Sequence, residues 1–98
     1  MSELDATVHQ PVRLRILMVL SGVASADFDF MLNTLGLTNG NLSSHMARLE
    51  DAGYVKVTKT FRGKLPHTSY SMTAKGKQAL AGYWEALDEI RALAKSDD

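Results

Sequence analysis

A chain of 98 residues with 45% hydrophobic and 22% charged side chains has the makeup of one globular domain, long enough for a modest core but too short for a deep enclosed pocket plus a separate regulatory module. The absence of cysteine excludes a disulfide framework, a thiolate zinc site and a thiol nucleophile, and it fits a reducing, cytoplasmic setting. No long uncharged apolar run marks a membrane span, MSELDATVHQ shows no secretory pattern, and the formal net charge of zero argues against nucleic acid only if the charges are evenly spread.

In chain order, Pro11 suits a first helical turn, and Val12, Ile16, Val19 and Leu20 share one helical face before Ser21-Gly22. Arg13 and Arg15 project from that first helix without clustering, so it reads as a core helix. After a short Ser/Ala linker, Asp27 can cap a second helix whose buried side is Phe28, Met31, Leu32 and Leu35. Gly36 can take the left-handed conformation that ends this helix, and Thr38 or Asn39 can cap the next. Two helices therefore meet across a very short connection. In the third, Leu42, Met46 and Leu49 recur at i, i+4 and i+7, which turns Asn41, Ser44, Arg48 and their neighbours outward. Amide, hydroxyl and guanidinium groups on such a face can reach base edges in a major groove.

From Tyr54 the period changes to two. Val55 and Val57 alternate with Lys56 and Thr58, and Tyr70 and Met72 alternate with Ser69 and Ser71, which predicts two antiparallel strands. The connection between them is expected over Phe61–His67, where Gly63 and Pro66 are turn residues. Charge is concentrated here. Residues 1–53 carry a net −3, residues 54–77 hold Lys56, Lys59, Arg62, Lys64, Lys75 and Lys77 with no acid, and residues 78–98 return to −3. A basic hairpin directly after an exposed polar helix is placed to contact phosphates, which supply most sequence-independent affinity for a duplex. Cations that merely protect a hairpin edge are the alternative.

Thr73 opens the longest helix, which runs to about Lys95 and tolerates Gly76 and Gly82. Leu80, Tyr83, Leu87, Ile90 and Ala94 fall at spacings of three and four, and Trp84 broadens their stripe. That is the seam of a coiled coil. Packing back on the chain's own core competes with it, yet a core this small has limited room, so part of the stripe is expected to meet a second copy. A homodimer would set two recognition helices on one face, roughly 34–36 Å apart if they enter successive major grooves. The expected organisation is one domain over residues 1–98, mainly α with a small β-hairpin. Core helices and wing fill residues 7–72, and a C-terminal dimerisation helix fills residues 73–95.

LGLTNGNLSSHMARLEDAGYVKV, the basic segment FRGKLPHTSY and the following SMTAKGKQAL resemble the small stand-alone winged helix-turn-helix transcriptional regulators of the MarR/ArsR-like superfamily. The resemblance covers nearly the whole chain. It implies a three-helix unit with a wing, a dimerising terminal helix, and operator binding that is usually repressive. It places Thr38, Asn39, Asn41, Ser43, Ser44 and Arg48 on the recognition helix, and Lys56, Lys59, Arg62, Lys64 and His67 on the wing and its strands. Leu80, Tyr83, Trp84, Leu87 and Ile90 become the dimer interface. Double-stranded DNA and a second copy are the implied partners, and no membrane is involved.

Lacking cysteine, the chain departs from the thiolate metal sensors and thiol oxidant sensors of that superfamily. His9, His45 and His67 are scattered without ligand spacing, so no metal or other cofactor is expected. A small-molecule effector near Tyr83 and Trp84 stays open, although aromatics on a helix stripe are more often core. Ser43-Ser44-His45 is not a catalytic triad, because consecutive helical residues diverge and no third group orients the histidine. No catalytic residue is assigned. The stronger rival to DNA binding is a winged-helix docking module for another protein.

Overall fold

The computed structural model describes residues 3–94. Its elements run α1 (Pro11–Ser21), β1 (Ala26–Asp27), α2 (Phe28–Leu35), α3 (Asn39–Asp51), β2 (Val55–Arg62), β3 (Leu65–Met72) and α4 (Ala74–Leu93). The helix end expected near Lys95 lies outside the described residues.

Helix boundaries follow local chemistry. Pro11 sits in the first turn of α1, while the Gln10 side chain accepts the Arg13 N–H at 2.8 Å. Asp27 caps α2 by accepting the Phe30 N–H at 2.8 Å, and Thr38 caps α3 by accepting the Asn41 N–H at 3.2 Å. Gly36 ends α2 at φ 63°, as its position in the sequence predicts. A second left-handed glycine, Gly53 at φ 81°, ends α3: the Gly53 N–H reaches Glu50 O at 2.9 Å and the Tyr54 N–H reaches Leu49 O at 2.9 Å. Those paired bonds make a Schellman motif, which turns the chain directly into β2.

Three strands form the sheet, not two. β3 is central, flanked by β2 and by the two-residue β1, whose Ala26 and Asp27 face Tyr70 and Ser69. The hairpin is also tighter than the seven-residue connection expected from sequence. Arg62 pairs with Leu65, leaving only Gly63 and Lys64 in the turn. Gly63 has φ 64° and no non-glycine residue has positive φ among the described residues, a pattern that fits a II′ turn with glycine first.

The core gathers Ile16, Leu17 and Leu20 of α1, Met31 of α2 and Leu42, Met46 and Leu49 of α3 around Val55 and Tyr70 of the sheet. Val8, fully buried, belongs to it as well. The segment before α1 is therefore built into the fold. Asp5 organises it, its carboxylate accepting the Thr7 N–H at 2.9 Å and the Tyr54 hydroxyl proton. That bond, with burial and the Asp5 charge, pushes the Tyr54 hydroxyl pKa up to about 12.

Candidate nucleic-acid interface

At about 100° per residue, the α3 face opposite Leu42, Met46 and Leu49 carries Gly40, Ser44, Ala47 and Asp51. Thr38, Asn39, Asn41, Ser43, Ser44 and Arg48 are all exposed. They are not equivalent. The first turns of α3 hold no acid, whereas the last turn brings Glu50 and Asp51 to the surface. Backbone N–H groups and the positive end of the helix dipole also lie at the Thr38 end. The half from Thr38 to Ser44 is thus the part an anionic groove would attract.

One flank of α3 faces the sheet. Ser43, Ala47 and Glu50 look across a cleft of about 280 Å³ toward Lys59 and Thr68. Burial, with Glu50 nearby, raises the Tyr70 hydroxyl pKa at the floor of this cleft. The other flank faces α1. There Arg13 donates from Nε to Thr7 O at 2.6 Å, and its Nη1 lies 3.2 Å from His45 Nδ1. Because arginine can only donate, the contact requires His45 Nδ1 to be the acceptor. The His45 pKa is lowered by burial and then by the Arg13 and Arg48 charges. Burial and Arg48 lower the Arg13 value in turn. Arg13 and Arg48 share the lining of an open cleft of about 480 Å³ with Ala6, Thr7, Asp51 and Ala52. The expectation that Arg13 projects without clustering is corrected: the packing of α1 on α3 brings it to His45 and Arg48, which lie far along the chain. Only that packing, and no sequence spacing, carries the signal.

Strand register sorts the wing cations. Opposed residues share a face, so Lys59 lies with Val55, Val57 and Phe61, whereas Lys56 and Arg62 lie on the other face with Thr58 and Thr60. Only Lys59 lines the cleft beside α3. Lys64 sits in the turn and Arg62 beside it, both exposed. Lys56, opposite Ser71 at the base of the hairpin, is remote from this tip. Residue His67 is not at the tip either: its Nε2 lies 3.5 Å from Asp27 Oδ2. The Asp27 carboxyl is held below its ordinary pKa first by the Phe30 N–H, with His67 and Arg62 assisting. At the end of the wing, Phe61 and Leu65 are each 72% exposed, an apolar feature that the charge pattern overshadowed in the sequence.

A match to the winged helix DNA-binding domain family spans residues 12–91. The chain belongs to that family. It is 34% identical over 85 residues to the uncharacterized protein MJ0432 of Methanocaldococcus jannaschii, covering 87% of this chain and 89% of that one. The transcriptional regulator homologue of Pyrococcus horikoshii OT3 superposes with a TM-score of 0.80 at 30% identity, covering 94% of this chain and 89% of that one. The putative transcriptional regulator ytfH of Salmonella typhimurium shares the fold, with a TM-score of 0.70 at 21% identity over 94% of this chain and 86% of that one. Family and fold together point to a DNA-binding transcriptional regulator.

In this winged helix the α4 stripe divides. Leu80 and Tyr83, expected at a dimer interface, are 7% and 4% exposed and belong to the chain's own core. The Tyr83 hydroxyl is 2.9 Å from His9 Nδ1, a contact to the segment before α1 that closes over it. Val8 belongs to the same core, and Leu4 packs against it. Trp84 and Ile90 remain exposed and Leu87 partly so, around an apolar cleft of about 380 Å³ with Asp88 and Arg91. No group of three or more potential metal ligands occurs among the described residues, and none of their helices is long and apolar enough to cross a membrane.

Proposed function

We propose that this winged helix is a sequence-specific, dimeric repressor that lays the first half of α3 from each subunit into successive major grooves of a pseudo-palindromic operator. The observation that carries this reading is the exposed, acid-free start of α3 together with a hairpin that carries cations and no acid. Ser43, in the Thr38–Ser44 half of α3, lines one cleft with Lys59 and Glu50, and Arg62 and Lys64 stand at the projecting end of the Val55–Met72 hairpin. Asn41 and Ser44 are placed to read base edges, each well-made bidentate pair adding about 1–3 kcal/mol of discrimination. Lys59, Arg62 and Lys64 hold phosphates beside the groove, and Arg13 with Arg48 forms a second cationic flank across the helix.

Selection of duplexes from a random library by the purified protein tests the reading. Recovery of an inverted repeat with half-sites about one helical turn apart supports it. Recovery of no enriched sequence overturns it in favour of a docking module.

A further inference from the structure

The wing ends in an exposed apolar pair. Phe61 and Leu65 are each 72% exposed, more than any other large hydrophobic side chain among the described residues. They occupy adjacent rungs of the ladder, Phe61 opposite Pro66 and Leu65 opposite Arg62, so the pleat directs them to opposite faces. Apolar side chains therefore stand on both faces of the tip, with Arg62 and Lys64 between them in the chain. A hairpin that needed only solubility would carry polar groups at these positions.

Local structure also argues against a strand partner. Pro66 lies one rung beyond the Arg62–Leu65 pair that closes the two-residue turn, at a rung that does not bond across to β2. Its missing N–H therefore faces away from β2, on the side where β1 pairs only as far as Ser69. Proline there denies a further strand the donor it would need. Along the chain the pair is flanked by Arg62 and Lys64 with no acid between Tyr54 and Lys77, while in space Asp27 and Asp29 share a cleft with Pro66 and His67 on the β1 side. The occupant of such a tip is anionic at its rim and apolar within. A duplex minor groove has that character, with phosphates along its edges and sugar and base-stack surfaces inside, and apolar wedges are a recurrent means of entering it.

We propose that Phe61 and Leu65 form an apolar wedge that enters the minor groove beside the α3 site and partly unstacks a base step there, bending the duplex, while Arg62 and Lys64 hold the flanking phosphates. The inference rests on the DNA-binding reading above and adds a mode of contact to it. Specificity follows at positions where no base edge is touched. Pyrimidine–purine steps, which unstack most easily, are favoured under the wing.

The test compares two double variants of the full chain on a selected duplex carrying 2-aminopurine at successive positions under the wing. Fluorescence reports unstacking, and energy transfer between dyes at the duplex ends reports bending. Wild-type protein is expected to raise the 2-aminopurine signal and shorten the end-to-end distance. Phe61→Ser with Leu65→Ser should abolish both changes and weaken binding roughly tenfold or more, with an unaltered salt slope. Arg62→Gln with Lys64→Gln should instead lower the slope by roughly one unit per lost phosphate contact. All four side chains are exposed outside the core, and equal urea midpoints will establish that both variants are folded. If wild-type protein binds the duplex but the apolar variant keeps its affinity and its bend, the wedge is wrong and the DNA-binding reading stands. A wild-type protein that binds no duplex overturns both. A change in sedimentation of the apolar variant without DNA, at unchanged DNA affinity, assigns the tip to protein contact and likewise overturns the wedge.

Discussion

Two glycines of α4 illustrate how one atom separates tolerance from necessity. A Cβ on Gly76 would lie 2.2 Å from Tyr54 O and 3.0 Å from Met72 Cγ, while one on Gly82 would meet nothing within 4 Å. The close approach exists because the Thr73 N–H bonds Tyr54 O at 3.1 Å and the Thr73 hydroxyl donates to Gly53 O at 2.6 Å, seating the first turn of α4 on the chain leaving α3. Gly76→Ala should therefore cost about 1–3 kcal/mol in urea denaturation. Gly82→Ala should add up to about 1 kcal/mol by restricting the unfolded chain. Sequence reasoning treated the two alike, since an isolated helical glycine carries no mark of what its backbone touches.

Residue His45 supplies a pH-dependent counterpart. With its folded pKa held below 6.5 by burial, Arg13 and Arg48, the unfolded chain binds the proton more readily. Stability contributed by neutral His45 is present above the unfolded value and is lost as pH falls below it. Urea midpoints taken from about pH 7.5 to about pH 5 should decline, and His45→Gln should flatten that decline relative to wild type. An identical decline in the variant would assign it to other groups.

At the scale of elements, α3 was legible almost to the residue and the wing only in outline. Leu42, Met46 and Leu49 are buried as their spacing requires, and the Thr38 cap and Gly36 stop leave little freedom at the start of the helix. The two-residue β1 has no periodicity to detect. Pro66 and Leu65 read as loop because proline and an exposed leucine are unusual so near a strand end. The structure also redistributes roles along α3. Arg48 stands in its last turn, turned toward Arg13 and near Asp51, whereas Asn41 and Ser44 lie in the acid-free half. Asn41→Ala with Ser44→Ala should change the sequences recovered in a duplex selection, while Arg48→Ala should weaken binding to all duplexes similarly and leave the recovered motif intact. A shifted motif with Arg48→Ala would return that residue to base reading.

For the molecule as a whole, the decisive element is α4, and the sequence misjudged its capacity. A stripe of five apolar side chains looked too large for a three-helix core, but the segment before α1 adds Val8 to that core and sets His9 against Tyr83. Beyond Ala86, which is fully buried, Ile90 is 42% exposed, and the chain measures 63 × 25 × 21 Å. A seam between copies must therefore use Trp84, Leu87 and Ile90. This divides the variants into two classes. Ile90→Asp places a charge where water already reaches and should leave the urea midpoint close to wild type, while converting a sedimenting dimer to a monomer and weakening operator binding. Tyr83→Ala should instead lower stability by about 3 kcal/mol through the cavity it leaves and the loss of the bond to His9. A wild-type protein that sediments as a monomer at about micromolar concentration, where a binding energy of about −8 kcal/mol would be needed, would refute the seam. Inverted-repeat recognition would then require the operator itself to bring two subunits together.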